Sequence, residues 1–301
     1  MKRDFLTLWD ISPDEIGRLM ERALGMKSGR YRSAFPMTGR SIGLLFEKPS
    51  TRTRVSFEVG IYQLGGQTIS MSPAELQIGR GETMADTART LSRYLSAVVI
   101  RTSAHNRLEA FAQHASIPVI NGLSDKHHPC QTLADLMTIQ EKKGRLKGLK
   151  AAFVGDGNNV CNSLIEAASR MQFDLAIACP EGFEPDPETL TRARVVAQSK
   201  IAVMRNPHEA VAMADVIYTD VWVSMGQEQS AEEKKAKFRD YQINSRLLSG
   251  AKSDVTVLHC LPAHRGEEIT DDVIDGPNSS VFDQAENRLH AQKALLEMIV
   301  T

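Results

Sequence analysis

The chain has no excess of charge of either sign. Among 301 residues, 36 basic side chains face 37 acidic ones, for a formal net charge of −1. Charges of both signs are interspersed and leave no electrostatic footprint for nucleic acid or an anionic membrane, so neither is expected as a partner. Long apolar runs are missing too. No stretch approaches the length of a membrane span, and the first ten residues, Met1 to Asp10, hold no apolar core long enough for a signal peptide. Cysteine is scarce: Cys130, Cys161, Cys179 and Cys260 show no paired spacing, which points to reduced thiols in a cytoplasm. There is no internal repeat and no low-complexity tract. What remains is a chain of about two ordinary domains, each long enough to bury a core.

Strand-like runs alternate with helical patterns throughout, which predicts an α/β protein of two domains, each with a central, mostly parallel sheet flanked by helices. In the first half the strands are expected at Ile42–Phe46, Thr68–Met71, Ala97–Arg101 and Pro118–Asn121. In the second they are expected at Ala151–Gly155, Leu175–Cys179, Ile201–Met204, Val216–Thr219 and Val255–Cys260. Between the halves lies a helical stretch, Thr132–Glu141, followed by the charged, glycine-punctuated segment Lys142 to Lys150, the one convincing linker. The last segment, Glu286 to Thr301, has the pattern of an amphipathic helix able to pack on either half.

The most informative stretch runs from Phe46 to Ile61. The apolar run Ile42–Phe46 reads as a buried strand, a short turn passes through Pro49, and a helix starts with Val55, Phe57, Val59 and Ile61. Ser50, Thr51, Arg52 and Thr53 stand at the junction. A helix start offers unpaired N–H groups and the positive end of the macrodipole, and Arg52 adds a planar fork that matches phosphate. Ser and Thr are also ordinary N-caps, but S-T-R-T-R on a strand-to-helix turn favours an anion site.

Open α/β sheets bind ligands beyond the carboxyl ends of their strands, and the other polar clusters fall at such ends. Arg101 closes one strand and His127 to Gln131 follow another. Gly155-Asp-Gly-Asn-Asn159, Asp220 to Met225 and His259-Cys260-Leu261-Pro262 follow three more, so five loops are expected to converge on one cleft between two domains. The glycine loop is a weak dinucleotide fingerprint, because Val160 stands where a third glycine or alanine is needed. Its adjacent asparagines suit a carboxylate. His127, His128, Cys130, His259 and Cys260 do not have zinc-ligand spacing, so no metal is expected. Cys260 lacks the surroundings of a nucleophile and reads more simply as a buried thiol. Asp220 reads equally as a solvated cap or as an anchor for an amino-acid head group.

Taken together, S-T-R-T-R at 50–54, H-P-C-Q at 128–131, Asp220 with S-M-G at 224–226, H-C-L-P at 259–262 and E-N-R at 286–288 closely resemble the carbamoyltransferases, in the ornithine branch of the aspartate/ornithine superfamily. The match runs in order from Ser41 to the last helix. The resemblance implies a carbamoyl phosphate domain over residues 1–131, with helix 286–301 packed back on it, a connecting helix and linker over 132–149, and an ornithine domain over 150–285. It also implies a cytoplasmic homotrimer with shared sites and no cofactor. By motif position, Ser50, Thr51, Arg52 and Thr53 would cradle the phosphate, with Arg101 shared between phosphate and carbonyl and Gln77 reaching in from a neighbouring subunit. His128 would donate to the carbonyl oxygen. Gln131, Arg288 and the carbonyls of Cys260 and Leu261 would fix the carbamoyl amide. Asn159, Asp220, Ser224 and Met225 would hold the amino-acid head group of ornithine.

The reaction so implied is direct attack of the δ-amine on the carbamoyl carbon, with catalysis by Arg52, Arg101, His128, Asp220 and Cys260, and citrulline and phosphate as products. Thr53, Arg101 and His128 would form the oxyanion site. Rival readings are a carbamoyltransferase for aspartate, putrescine or N-acetylornithine, a NAD-dependent enzyme, and a non-enzymatic protein on the same fold.

Overall fold

The computed structural model describes residues 2–31, 35–72, 81–223 and 231–301. The chain divides into two units, one of Met1–Met137 with Glu286–Thr301, the other of Thr138–Ala285.

In the first unit the elements run α1 (Pro13–Lys27), β1 (Ser41–Phe46), α2 (Thr51–Gln63), β2 (Gln67–Met71), α3 (Met84–Leu91), β3 (Ala97–Arg101), α4 (His105–His114), β4 (Val119–Leu123) and the start of α5 (Pro129–Lys143). Local chemistry sets the helix ends. Ser12 and Glu15 form a capping box around Pro13, which sits where its missing N–H costs nothing. α5 starts earlier than its apolar pattern suggested for the same reason, with Pro129 as its first residue, so Cys130 and Gln131 lie on the helix and not in a loop. It ends at Lys143, where Gly144 adopts φ +70° and its N–H returns to the Gln140 carbonyl. β4 starts one residue later than expected, because Pro118 has no N–H to donate, although its carbonyl still accepts from Val98.

The second unit continues with β5 (Lys150–Val154), α6 (Asn159–Met171), β6 (Asp174–Ala178), α7 (Pro187–Val196), β7 (Ile201–Met204), α8 (Pro207–Val211), β8 (Val216–Thr219), α9 (Ala231–Phe238), α10 (Ser245–Leu248), β9 (Thr256–His259) and α11 (Asp271–Ile274). α12 (Val281–Val300) follows, and from Glu286 onward it groups with the first unit.

Both sheets are wholly parallel among the described residues, with orders β2-β1-β3-β4 and β7-β6-β5-β8-β9. β1, β3 and β5 are near-continuous apolar runs, as strands covered on both faces must be. Leu45, Val98, Ile100, Phe111 and Val119 form one core. Val154, Ile217, Phe238 and Val257 form the other. In each sheet the chain first moves outward from the central strand and then returns to its other side, so the order reverses between β1 and β3 and between β5 and β8. Such reversal points open a crevice at the carboxyl ends of the two strands. No helix among the described residues is long and apolar enough to cross a membrane.

Candidate functional site

At the reversal point of the first sheet, Ser50 caps α2 and its Oγ accepts from the Thr53 N–H at 3.3 Å. The first turn of α2 carries no acidic residue, so nothing within the turn offsets the positive helix end. Arg101 closes β3 opposite Phe46, and the register with β4 shifts between Ile100 and Arg101. Such an irregularity re-aims a side chain at a strand end.

Arg288 comes from α12 and is 1% exposed. Its Nη2 donates to Thr53 Oγ1 at 2.9 Å, and its Nη1 donates to Gln131 Oε1. Gln131 Nε2 donates in turn to Asp135 Oδ1 at 2.9 Å, one helical turn along α5. The amide is therefore held in one orientation, its oxygen toward the guanidinium and its nitrogen toward the carboxylate. A guanidinium this deeply buried must be hydrogen-bonded to be tolerated. His128 precedes α5, and its carbonyl accepts from Gln131 N–H at 3.1 Å. Burial pushes its imidazole well below the usual histidine range, and Arg288, Arg101 and Arg52 push the same way. His128 is thus neutral at pH 7, with one N–H to donate, inside a strongly cationic site. Cys130 donates to the Asn121 carbonyl at 3.3 Å, and burial pushes its thiol up to about 12, so it is inert.

At the reversal point of the second sheet the sign is opposite. The loop after β5 approaches the 183–185 segment so closely that a Cβ on Gly157 would lie 2.3 Å from Pro185 N, which only glycine avoids. Asn158 caps α6, its Oδ1 accepting from Val160 and Cys161 N–H at 2.9 and 3.2 Å. Its Nδ2 donates to Asp220 Oδ2 at 2.7 Å. Asp220 follows β8 and is 7% exposed, and its Oδ1 accepts from the Cys260 thiol at 2.9 Å. Both donors are neutral groups, so the carboxylate is oriented without being neutralised.

Beside Cys260, His259 N–H donates to Gln284 Oε1 at 2.9 Å. Its Nδ1 accepts from Leu261 N–H at 2.9 Å, so Nε2 carries the proton and donates to the fully buried Glu268 at 3.0 Å. Leu261 adopts φ +56°, and these bonds hold the backbone of Cys260 and Leu261 in place. Asp220, His259 and Cys260 have ligand-type atoms within 4.8 Å of one another. Both His259 nitrogens are already committed, which leaves that group no imidazole lone pair for an ion.

Among the expected site residues, the structure joins Ser50, Thr53, Gln131 and Arg288 by hydrogen bonds through Thr53, with Arg52, Arg101 and His128 in the same electrostatic environment. In the second unit it joins Asp220 and Cys260, with Leu261 beside them. Thr51 is exposed on the first turn of α2. Asn159 opens α6, its Oδ1 3.1 Å from Val160 N, while its neighbour Asn158 bonds Asp220. Gln77, Ser224 and Met225 lie outside the described residues. Sequence reasoning saw that the adjacent asparagines suit a carboxylate but gave the role to Asn159, and it missed Asp135, Glu268 and the Asp156–Lys234 pair. Asp135 had a signal, since it stands four residues after Gln131 on a helix. Glu268 had none.

The family model described as "Aspartate/ornithine carbamoyltransferase, carbamoyl-P binding domain" matches residues 3–141, and that described as the "Asp/Orn binding domain" of the same family matches residues 147–299. The ornithine carbamoyltransferase of Syntrophus aciditrophicus is 54% identical over 302 residues, covering 100% of both chains. The anabolic ornithine carbamoyltransferase of Pseudomonas aeruginosa is 53% identical, over 99% of this chain and 97% of its own. The solved ornithine carbamoyltransferase of Pyrococcus furiosus superposes with a TM-score of 0.94 at 50% identity, covering 99% of this chain and 97% of that one. Two reversed parallel sheets with a cationic and an acidic strand-end site, matched over nearly every residue, place this chain in the aspartate/ornithine carbamoyltransferase family.

Proposed function

We propose that the protein transfers the carbamoyl group of carbamoyl phosphate to the δ-amino group of L-ornithine, giving L-citrulline and phosphate in arginine metabolism. The observation that carries this reading is the Arg288 fork on Thr53 and Gln131 beside a neutral, arginine-surrounded His128. Such a site suits a dianion attached to a polar acyl group. Identity above one half to ornithine carbamoyltransferases supports ornithine as acceptor.

In this reading the first unit binds carbamoyl phosphate and the second binds ornithine. Ser50, Thr51, Arg52 and Thr53 take the phosphate with the helix end behind them, and Arg101 bridges phosphate and carbonyl. His128 donates its N–H to the carbonyl oxygen, and Gln131, Arg288 and the Cys260 and Leu261 carbonyls hold the amide. Asp220 receives the α-ammonium, with Asn159, Ser224 and Met225 on the head group. The δ-nitrogen lone pair adds to the carbamoyl carbon, the oxyanion settles on Thr53, Arg101 and His128, and the C–O bond to phosphate breaks as the departing phosphate takes the proton that the now cationic nitrogen sheds. A preorganised donor to such an oxyanion contributes about 3 kcal/mol. Phosphate is already a good leaving group, so no covalent enzyme intermediate is required.

The amine must lose a proton. An alkylamine titrating near pH ~10.4 is neutral in about one molecule in a thousand at neutral pH, a deficit of roughly 4 kcal/mol that desolvation reduces.

The active form is a cytoplasmic homotrimer, with Gln77 completing a neighbour's phosphate site. An apolar row on α2, Val55, Val59 and Tyr62 (49%, 38% and 78% exposed), with Ile69 on the edge strand β2, supports a second copy covering this face. Mixing inactive Gln77→Ala and Arg52→Ala chains should restore activity at interfaces that combine two intact halves. No recovery from any mixture would mean a site built within one chain.

The deciding experiment supplies carbamoyl phosphate with ornithine, N-acetylornithine, aspartate or putrescine and measures the ureido product. Citrulline formation should exceed the other products by orders of magnitude. Equal or greater turnover of another acceptor would replace ornithine in the reading.

A further inference from the structure

Lys234 is an unusual charge in the second unit. It lies on α9 with a side chain 8% exposed, and its Nζ stands 2.6 Å from Asp156 Oδ2, on a side chain 14% exposed. The rings of Phe183 and Phe238 have their centroids 5.3 and 5.8 Å from the ammonium, within the range of cation–π attraction. Asp156 belongs to the loop after β5 that carries Asn158, and that loop is rigidly held. Gly155 N–H donates to the Ala178 carbonyl at 2.9 Å, and Gly157 N–H donates to the Phe183 carbonyl at 2.9 Å. Phe183 therefore supports both partners, its carbonyl fixing the loop and its ring facing the ammonium.

Asp156 and Asp220 are two carboxylates at neighbouring strand ends. Burial raises Asp156 above the ordinary carboxylate range, Lys234 pulls it down, and Asp220 pushes it up. Among the described residues, Cys161 on α6 and Cys179 after β6 also act with Asp156, both thiols kept protonated by burial, so neither adds charge. Asp220 meets the neutral amide of Asn158 and the thiol of Cys260. Among the described residues, two anions and one cation leave one negative charge.

We propose that Lys234 is a positioning and specificity residue: by pairing with Asp156 it leaves Asp220 as the single uncompensated carboxylate, set to receive one ammonium group, the α-amino group of ornithine. The inference rests on the reading of Asp220 as part of the ornithine site. Without Lys234, two buried carboxylates stand at neighbouring strand ends with no cation between them. The group that pulls Asp156 down is then gone, so its carboxyl rises further, and ornithine binding acquires a pH dependence that the native charge balance suppresses.

The test compares wild type with Lys234→Met, Asp156→Asn and the double variant, measuring kcat/KM for ornithine between pH 6 and 9 and KM for carbamoyl phosphate. Lys234→Met should show an added ionisation in the ornithine profile and lose about 10-fold at pH 7, the order expected for a directly coupled pair. Asp156→Asn leaves a buried ammonium facing the substrate's own. It should raise the ornithine KM about 10-fold without the added ionisation. The double variant should return to within about 3-fold of wild type with a wild-type-shaped profile, because one negative charge is restored. Carbamoyl phosphate KM should stay constant across the set.

A wild-type-shaped profile in Lys234→Met, or a double variant no better than Asp156→Asn, overturns the proposal. If Lys234→Met does not fold, the second comparison still decides. A wild type that makes no citrulline removes the ornithine reading itself. A wild type that makes citrulline beside unrescued variants removes only the role of Lys234.

Discussion

Both units place their polar chemistry at the carboxyl ends of two neighbouring parallel strands where the sheet order reverses, and they fill that place with opposite charge. The first has three arginines acting on one neutral histidine. The second has an aspartate oriented by an amide and a thiol. They also stabilise buried charge differently. Arg288 reaches Asp135 through the neutral Gln131 amide, a relay of two charge-assisted hydrogen bonds. Asp156 meets Lys234 directly, as an ion pair among aromatic rings. The common topology thus supplies a location, and the few residues at strand ends decide what is bound there.

The contrast is broken most severely by removing the planar cation from the first unit. Arg52→Lys keeps the charge but loses the bidentate fork, and kcat/KM should fall at least about 100-fold in a folded enzyme. Wild-type rates would take Arg52 out of the site. Asp220→Asn attacks the other pole. The ornithine KM should rise about 50-fold, as for loss of a buried charged hydrogen bond, while carbamoyl phosphate binding by calorimetry holds within a few-fold. Collapse of carbamoyl phosphate binding with ornithine affinity intact would reverse the division of labour between the units.

Gly157→Ala tests whether the second site depends on backbone fit. Its Cβ would meet Glu184 C at 2.4 Å as well as Pro185 N, so denaturant unfolding should show a loss of about 2 kcal/mol. An unchanged midpoint would mean the loop relaxes freely.

The smallest effect concerns His128. Its folded-state pKa is lowered, so below the ordinary histidine range the unfolded chain binds the extra proton first. Its neutral burial therefore costs no protonation energy above about pH 6.5, and stability is lost as pH falls below that value. Melting temperature should drop between pH 7 and 5, and His128→Gln should remove about 2–4 °C of that drop. Identical pH curves for the two proteins would show that His128 is not held neutral by the fold.

Much of this was legible from local pattern. The parallel α/β class follows from apolar runs such as Ile42–Leu45 and Val98–Ile100, and the expectation of an anion site rests on hydroxyls and Arg52 at a helix start. The boundary error that matters for the site came from proline. Pro129 extends α5 backwards and puts Gln131 on a helix, where Asp135 can hold its amide. Asn158 was harder to read than Asn159, because an N-cap is recognised by its backbone geometry and not by its identity in a pair of asparagines.

Sequence by itself determined which residues turn inward and where strands give way to helices, because those depend on periodicities of two and of 3.6 residues and on capping chemistry within a few positions. Only the tertiary structure decided which charges answer one another. Arg288 meets Thr53 across 235 residues and Gln131 across 157, Cys260 meets Asp220 across 40, and Lys234 meets Asp156 across 78. Those pairings depend on which strand ends become neighbours when β8 returns beside β5 and when α12 joins the first unit. Sheet order is a property of the whole packed core, and no local periodicity encodes it.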